Sequence, residues 1–273
     1  AVSLNQGGVP AYLNAERVVQ IAKETNCDAI HPGYGFLSES SEFAWLCESE
    51  GLCFVGPSPE TLEAFGNKAR ARELADSCGV PILKGSGGAV SLKEARDFFL
   101  GLDGKASVML KAISGGGGRG MRPVHQIEEL EEAYNRATSE AEKAFGSGEI
   151  YVEELMYPAR HIEVQIVGDG ERAVHLLDRE CSLQRQRQKL IEIAPAFALP
   201  DDLRRSILGS ATQIARASHY RGVGTIEFLV RTAPDNDASF VFMEANPRLQ
   251  VEHTVTEEVT GLDLVELQLR LAE

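Results

Sequence analysis

The residues best suited to chemistry lie between positions 242 and 253, where polar side chains follow the apolar segment 240–243. In an extended chain alternate side chains share a face, so one surface would carry a set of carboxylates, amides and a guanidinium. Carboxylate and amide oxygens suit Mg²⁺, and a guanidinium suits a planar anion. The stretch therefore predicts a strand end that holds a metal ion and an anionic substrate. The set is Glu244, Asn246, Arg248, Gln250 and Glu252.

A further carboxylate, Glu227, lies within the apolar run 224–230. We expect this run to be a strand that pairs with residues 240–243. A carboxylate among apolar neighbours needs a partner, so the sequence predicts that Glu227, Glu244 and Asn246 share one Mg²⁺. The alternative is that Glu227 faces solvent on the polar side of its strand.

A glycine-rich loop separates two predicted strands, 108–113 and 121–124. Its four consecutive glycines, 115–118, would let backbone N–H groups approach phosphate oxygens, and Lys111 and Arg119 add positive charge. The loop is neither a P-loop nor a dinucleotide fingerprint, because the Gly-Lys-Ser/Thr step and a following helix are absent. We interpret it as a flap over phosphates. The alternative is a flexible hairpin tip, although ordering four glycines has a large entropic cost.

The segment 181–189 is rich in hydrogen-bond donors and contains Arg185, Arg187 and Lys189. In an acidic protein such a cluster would attract phosphate or bicarbonate, and the alternative is a solvated basic strand. The six histidines show no zinc spacing. We keep only His161 as a ligand contact, since it opens a strand soon after Glu153 and Glu154.

Bulk composition limits the function further. The 273 residues carry a formal charge of −14, which argues against nucleic-acid binding. No apolar run approaches the roughly 20 residues of a membrane span. The five cysteines are scattered and odd in number, which favours reduced thiols in an intracellular compartment. No Ser/His/Asp arrangement stands out, so we expect positioning and electrostatics around phosphate, without covalent catalysis.

The order of elements predicts two domains. Up to residue 66, helices alternate with short strands, which is typical of a parallel α/β domain, here incomplete. Residues 67–273 predict an α+β domain with antiparallel hairpins, among them 161–167 with 173–177 and 224–230 with 239–243. A lid subdomain is expected at about 82–155. Because the chain starts at an alanine and stops within a helical pattern, we expect a fragment lacking both ends.

Five motifs in this order resemble the biotin carboxylase family of the ATP-grasp superfamily. They are residues 31–39, residues 66–68, the loop 111–121, residues 180–189 and residues 244–253. The last motif, which contains Arg248-Leu249-Gln250-Val251-Glu252-His253, is the most specific. The resemblance implies an ATP-grasp fold with a glycine-rich lid, preceded by an incomplete Rossmann-like domain. It also implies that MgATP phosphorylates bicarbonate to carboxyphosphate, which carboxylates biotin on a carrier protein.

The resemblance also implies roles for individual residues. The phosphate ligands of ATP would be Lys68 and Lys111, with lid contacts from Gly117 and Gly118. The adenine hinge would be Glu153, Glu154 and Met156, largely through backbone groups. Nucleotide contacts would come from His161 and from Arg187, where the family usually has histidine. The Mg²⁺ or Mn²⁺ ligands would be Glu227, Glu244 and Asn246. The bicarbonate pocket would be Lys189, Arg248, Gln250 and Val251, with Glu252 as the general base.

The implied partners are a biotin carboxyl carrier, a carboxyltransferase component and a second copy of the complete protein. Neither nucleic acid nor membrane is expected, and the compartment would be the cytoplasm, or the mitochondrial matrix in a eukaryote. We expect that these 273 residues alone bind MgATP but carboxylate biotin poorly, because the family's C-terminal domain is missing. Two alternatives are another ATP-grasp carboxylate or carbamate ligase and a catalytically incomplete nucleotide-binding fragment. The final carboxyl acceptor, an acyl-CoA, pyruvate or urea, is left open.

Overall fold

A computed structural model describes residues 2–4, 7–102, 107–113, 120–185, 188–231 and 239–273. The glycine run with its predicted contacts Gly117 and Gly118, and Arg119 and Arg187, lie outside the described residues. Among the described helices, none is both long enough and apolar enough to cross a bilayer.

The N-terminal part is a small α/β unit. Two strands, β1 (Ala29–Ile30) and β2 (Cys53–Phe54), pair in parallel, as the alternating pattern predicts. Asn14, Ser40 and Ser58 cap three of its helices by accepting from backbone N–H groups three residues on. The helices are α1 (Val9–Tyr12), α2 (Ala15–Glu24), α3 (Ser41–Ser49) and α4 (Pro59–Gly66).

The next part contains a second sheet with a core of its own. Strands β3 (Val108–Ala112), β4 (Met121–Val124) and β5 (Ile150–Glu154) form an antiparallel sheet in the order β4-β3-β5. Residues buried in this sheet and its helices form a separate hydrophobic cluster. The helices of this part are α5 (Lys68–Ser77), α6 (Leu92–Gly101) and α7 (Leu130–Phe145).

The largest sheet has five antiparallel strands in the order β10-β9-β6-β7-β8. Helices α5 and α8 cover one face, where Ile162, Phe228 and Ile207 are fully buried in the same cluster. The strands are β6 (Arg160–Asp169), β7 (Ala173–Arg185), β8 (Gln188–Ile193), β9 (Arg221–Arg231) and β10 (Ser239–Asn246). The helices are α8 (Asp201–Ala217), α9 (His253–Thr260) and α10 (Leu264–Ala272).

A β-bulge decides which way the end of β10 faces. Phe242 lies opposite Phe228 and Glu244 lies opposite Glu227, so Met243 is an extra residue without a partner. In a regular strand Phe242 and Glu244 would share a face. The bulge reverses the alternation, so Phe242 stays in the core while Glu244 turns to the opposite face with Glu227.

The structure corrects one sequence expectation and one of the alternatives. The extended strand predicted through residue 252 ends at Asn246, because Pro247 has no N–H for the ladder and the Arg248 N–H donates to the Asn246 carbonyl at 2.9 Å. Helix α9 then begins at His253. The basic segment 181–189 is not one strand: β7 continues to Arg185, and β8 returns from Gln188.

Candidate active site

Four ionisable side chains form a row across four adjacent strands. Arg179 on β7 is the register partner of Glu163 on β6, and Glu163 is that of Glu227 on β9. Glu227 in turn lies opposite Glu244 on β10. Register partners in an antiparallel sheet project from the same face. The sheet therefore gathers one guanidinium and three carboxylates on the face that α5 and α8 leave uncovered, and we call this set the charged row.

Lys189, near the start of β8, connects the charged row to the loop after β10. Its Nζ lies 2.5 Å from a Glu163 oxygen, 3.1 Å from a Glu227 oxygen and 2.6 Å from a Glu252 oxygen. The amide oxygen of Gln250 is 3.2 Å away. Burial opposes the charge of Lys189, but the carboxylates outweigh it and raise the pKa of the ammonium. Lys189 is therefore a fixed positive charge at neutral pH.

Glu227 is buried and surrounded by donors. Its carboxylate accepts hydrogen bonds from the Asn246 amide at 2.7 Å and the Gln250 amide at 3.2 Å, and His161 Nε2 lies at 2.6 Å. Burial alone would raise its pKa, yet His161 and Lys189 hold the pKa of Glu227 well below its usual range. Glu227 is accordingly ionised.

His161 is oriented from both sides of its ring. The Gln184 amide nitrogen lies 2.8 Å from Nδ1, so Nδ1 accepts, and in the neutral ring Nε2 carries the proton donated to Glu227. Burial disfavours the protonated ring, but the Glu227 carboxylate raises the pKa of His161 above its ordinary value. The ring is thus fixed in place at the edge of the charged row.

Glu244 differs from the other carboxylates of the row. No hydrogen-bond donor among the described residues contacts it. Burial and the neighbouring Glu227 raise the pKa of Glu244, while Lys111 and Lys68 act in the opposite direction. A partly buried carboxylate opposite a second one favours a bound cation. Together with the Glu227 carboxylate and the Asn246 amide oxygen it offers the hard oxygen ligands that Mg²⁺ prefers, so the donor set fits the predicted metal.

The two lysines predicted to bind phosphate lie near Glu244. Lys111 forms an ion pair with the buried Glu153, which also accepts from the Tyr151 hydroxyl and lies 3.4 Å from Arg72. Lys68 donates to the Ala112 carbonyl at 3.4 Å, and burial lowers its pKa. The Glu153 side chain therefore holds Lys111 in position. Only the backbone of Glu153 is left for the predicted hinge role.

Arg248 connects the site to the N-terminal part of the chain. It pairs with Glu39, and its Nη2 lies 3.4 Å from the Asn246 amide oxygen. Glu252 occupies the N-cap position of α9. Val251 is 63% exposed, and because its side chain is apolar, any contact from this position to a bound anion would use its backbone.

The structure brings most of the predicted residues together in one region. Two hinge residues lie beside it: the Glu154 N–H donates to the Lys84 carbonyl at 2.8 Å, and Met156 is buried with Leu83 and Val241. The residues gathered at the site are Lys68, Lys111, Glu153, His161, Lys189, Glu227, Glu244, Asn246, Arg248, Gln250 and Glu252.

The sequence reasoning missed two central residues, Glu163 and Arg179, both fully buried. A signal for Glu163 was available, because His161, Glu163 and Gln165 are polar at every second position of a buried strand. Such a pattern places them on one face. Arg179 gave no such signal, since its neighbours Asp178 and Glu180 are also charged.

Comparison with known proteins identifies the family. Residues 67–273 match the family model described as carbamoyl-phosphate synthase L chain, ATP binding domain. Residues 1–62 match the one described as biotin carboxylase, N-terminal domain. The chain belongs to the biotin carboxylase family.

Individual biotin carboxylase relatives agree with this placement. A Campylobacter jejuni biotin carboxylase, solved in a β,γ-ATP complex, is 41% identical with a TM-score of 0.90, over 97% of this chain and 58% of that one. The biotin carboxylase domain dimer of the Hydrogenobacter thermophilus 2-oxoglutarate carboxylase, in complex with MgADP, ADP and bicarbonate, is 43% identical with a TM-score of 0.89, over 96% and 57%. These likenesses confirm the predicted ATP-grasp fold.

Pyruvate carboxylase 1 of Caenorhabditis elegans is 48% identical over 97% of this biotin carboxylase chain. The chain spans only 22% of that relative's length. Family membership is therefore established, while the activity of the whole protein is a matter for proposal.

Proposed function

We propose that this chain phosphorylates bicarbonate with MgATP to give carboxyphosphate, which carboxylates biotin on a carrier protein. The observation that carries the proposal is the position of Lys189. Its ammonium lies between the Glu252 carboxylate, at 2.6 Å, and the Glu227 carboxylate, at 3.1 Å. Glu227 in turn lies opposite Glu244 on the next strand. A base, a fixed cation and a pair of metal-type carboxylates thus lie side by side, as joining two anions requires.

The metal would be held by Glu227, Glu244 and Asn246. Mg²⁺ bound there would neutralise phosphate charge next to the reacting oxygen. The support is the donor set itself: Glu244 has no hydrogen-bond donor among the described residues, and the Asn246 amide oxygen receives only a long 3.4 Å contact from Arg248.

The nucleotide would lie between the two sheets. Lys68 and Lys111 would contact its phosphates, with the Glu153 ion pair holding Lys111 ready. His161 would contact the nucleotide from the edge of the charged row. Lid contacts from Gly117 and Gly118, a contact from Arg187, and backbone recognition of adenine at Glu153, Glu154 and Met156 complete the proposal as the family resemblance implies them.

Bicarbonate would bind beside Lys189 and Arg248, with Gln250 and Val251 completing the pocket. Glu252 would take the proton of bicarbonate as a bicarbonate oxygen bonds to the γ-phosphorus and the bond to ADP breaks. The two cations offset the repulsion between bicarbonate and ATP and align the reacting atoms. Arg248 now pairs with Glu39, so bicarbonate would share or replace that carboxylate.

The proposal extends to domains and partners. The matches to residues 1–62 and 67–273 support a division near residue 66. The three-stranded sheet β4-β3-β5, with its own hydrophobic cluster, supports a lid at about 82–155. The relatives' names support a biotin carrier and a carboxyltransferase as partners, and the dimer in the Hydrogenobacter title supports self-association. The five cysteines are free, which fits a reducing compartment such as the cytoplasm or the mitochondrial matrix.

The test is ADP formation by the complete protein, measured with and without bicarbonate and free biotin. We expect cleavage of MgATP to require bicarbonate and to increase with biotin, and Glu252→Gln to abolish the bicarbonate-dependent part. Glu258→Gln, the same change on the exposed side of α9, is the matched control and should behave as the wild type. ATP cleavage that ignores bicarbonate but responds to an amine acceptor would indicate a different ATP-grasp ligase.

A further inference from the structure

Arg179 is the largest of the fully buried side chains and has no predicted role. It lies at the far end of the charged row from Glu244. Its side-chain hydrogen bonds connect its own strand β7 to two other elements, the neighbouring strand β6 and the helix α9. A buried guanidinium with such reach can fix several groups at once, since its donors have a rigid planar geometry.

The first set of contacts leads to Lys189. Arg179 Nε donates to one oxygen of Glu163 at 2.6 Å, and Lys189 Nζ donates to the other oxygen at 2.5 Å. Glu163 is thus held between two cations, each on its own oxygen. Without the guanidinium, the Glu163 carboxylate could rotate toward Lys189 and draw the ammonium away from Glu252.

The second set of contacts leads to Glu252. Arg179 Nη1 donates to Thr256 Oγ1 at 2.7 Å and to Gln165 Oε1 at 2.7 Å. Thr256 is buried in the first turns of α9, and Glu252 is the N-cap residue of the same helix. The hydrogen bond to Thr256 therefore ties the helix that carries the proposed base to the sheet that carries Lys189.

Stability alone does not account for Arg179. Replacing a buried ion pair by apolar residues of similar volume is often neutral or stabilising. In addition, Arg179 Nη2 is buried without a hydrogen-bond partner among the described residues, which is unfavourable. Because these terms leave Arg179 little net effect on stability, we explain the residue by the positions in which it holds its neighbours.

We propose that Arg179 is a positioning residue for bicarbonate, which holds Lys189 through Glu163 and Glu252 through Thr256. This inference rests on the proposed function. The inference predicts an effect on bicarbonate binding and none on nucleotide binding. Both sets of contacts from Arg179 end at the bicarbonate side of the site, and neither reaches Lys68 or Lys111.

Two variants of the complete protein test the selectivity. Arg179→Lys keeps the charge but loses the planar donor geometry, and Thr256→Val removes one acceptor at nearly constant volume. We expect Arg179→Lys to raise KM for bicarbonate about tenfold, the loss typical of one hydrogen bond to a charged group. KM for MgATP should be unchanged. Thr256→Val should also raise KM for bicarbonate, by a smaller factor than Arg179→Lys.

Hydrogen exchange provides a readout that does not depend on activity. We expect the amides of α9 to exchange faster in both variants than in the wild type, while those of α8 are unaffected. If the wild type showed no bicarbonate-dependent turnover, the proposed function would fail, and faster exchange in α9 would still support the positioning role of Arg179.

The matched control is Arg204→Lys. Arg204 Nε lies 3.1 Å from the buried Asp178, the neighbour of Arg179 on the opposite face of β7. This variant should leave KM for bicarbonate and exchange in α9 unchanged. The inference is overturned if Arg179→Lys and Arg204→Lys affect both Michaelis constants alike, or if Arg179→Lys alters neither KM for bicarbonate nor exchange in α9.

Discussion

The ammonium of Lys189 contacts three carboxylates at once, and its removal should have a large effect on stability. Lys189→Met keeps a side chain of similar length without the charge. Removing one partner of a buried ion pair costs about 3–5 kcal/mol. Because the Lys189 side chain is 20% exposed, we expect the lower end, a loss of about 3 kcal/mol in the free energy of unfolding at pH 8.

The loss should depend on pH with a definite sign. In the wild type the raised pKa of Lys189 means that its stabilisation is present below the ordinary lysine pKa and is lost only at strongly alkaline pH. In the variant, the uncompensated carboxylates acquire pKa values above those of the unfolded chain. The folded state of the variant is then favoured at low pH, where these carboxylates are protonated, and disfavoured as the pH rises through their raised pKa values. The difference between variant and wild type should therefore shrink from pH 8 to pH 5.

Urea unfolding followed by far-ultraviolet circular dichroism, repeated at several pH values, measures this difference. The double variant Lys189→Met/Glu163→Gln is the internal check, since it removes one of the uncompensated charges. We expect it to recover at least about 1 kcal/mol, within the range of coupling between residues in contact. A loss below about 1 kcal/mol for the single variant, or a loss that grows as the pH falls, would refute the assignment of Lys189 as the neutralising charge.

Three further predictions follow from other parts of the site and fold. Glu244→Gln should weaken binding of MgADP about tenfold in calorimetry while leaving binding of ADP without Mg²⁺ unchanged, since in the proposed function only the metal uses this carboxylate. Glu180 has a pKa below its usual value: burial opposes this, but the hydrogen bonds from Arg160 and Ser182 prevail. Its stabilisation is therefore present near neutral pH and lost as the pH falls through the lowered pKa, so urea unfolding of Glu180→Gln should differ most from the wild type at pH 7. Gly168→Ala should destabilise by about 1–3 kcal/mol, because the added Cβ would clash with the Tyr220 carbonyl oxygen.

Each of these has a clear contrary result. Equal loss of ADP binding with and without Mg²⁺ in Glu244→Gln would place that carboxylate on the nucleotide. If the difference in unfolding free energy between Glu180→Gln and the wild type grew toward pH 4, it would contradict the lowered pKa of Glu180. Gly209→Ala is the control for Gly168→Ala, since its Cβ meets no atom within 4 Å and it lies inside α8. It should stabilise by about 0.5–1 kcal/mol, and equal behaviour of the two alanine variants would contradict the steric argument.

Much of the fold followed from local patterns in the sequence. The hairpins around residues 168–170 and 234–236 were predicted because strand-like segments lie on both sides of turn residues, and the paired strands confirm them. The parallel pair β1 and β2 also followed from alternation with helices. Strand β8 was missed because it is an edge strand with exposed apolar residues such as Leu190 and Ile191, so no alternation marks it.

The sequence predicted which residues belong to the candidate site but not how they are arranged. The polar residues from Glu244 to Glu252 do meet, although the chain turns at Pro247 and ends in a helix, so simple alternation gave the right neighbours for a partly wrong reason. Contacts such as Arg248 with Glu39 join residues 209 positions apart. No local pattern encodes a contact of that kind, because it depends on how separately folded parts come together.

The bulge at Met243 sets the register that turns Glu244 toward the site. If Met243 were drawn into the ladder opposite Glu227, Glu244 would move opposite Ile226 and turn into the apolar interior. Deleting Met243 would instead leave Phe242 opposite Phe228 and Glu244 opposite Glu227 in a regular ladder, so both side chains would keep their faces. A register shift at the bulge would thus remove a proposed metal ligand while every ligand is still encoded, a kind of damage that inspection of the site residues alone would overlook.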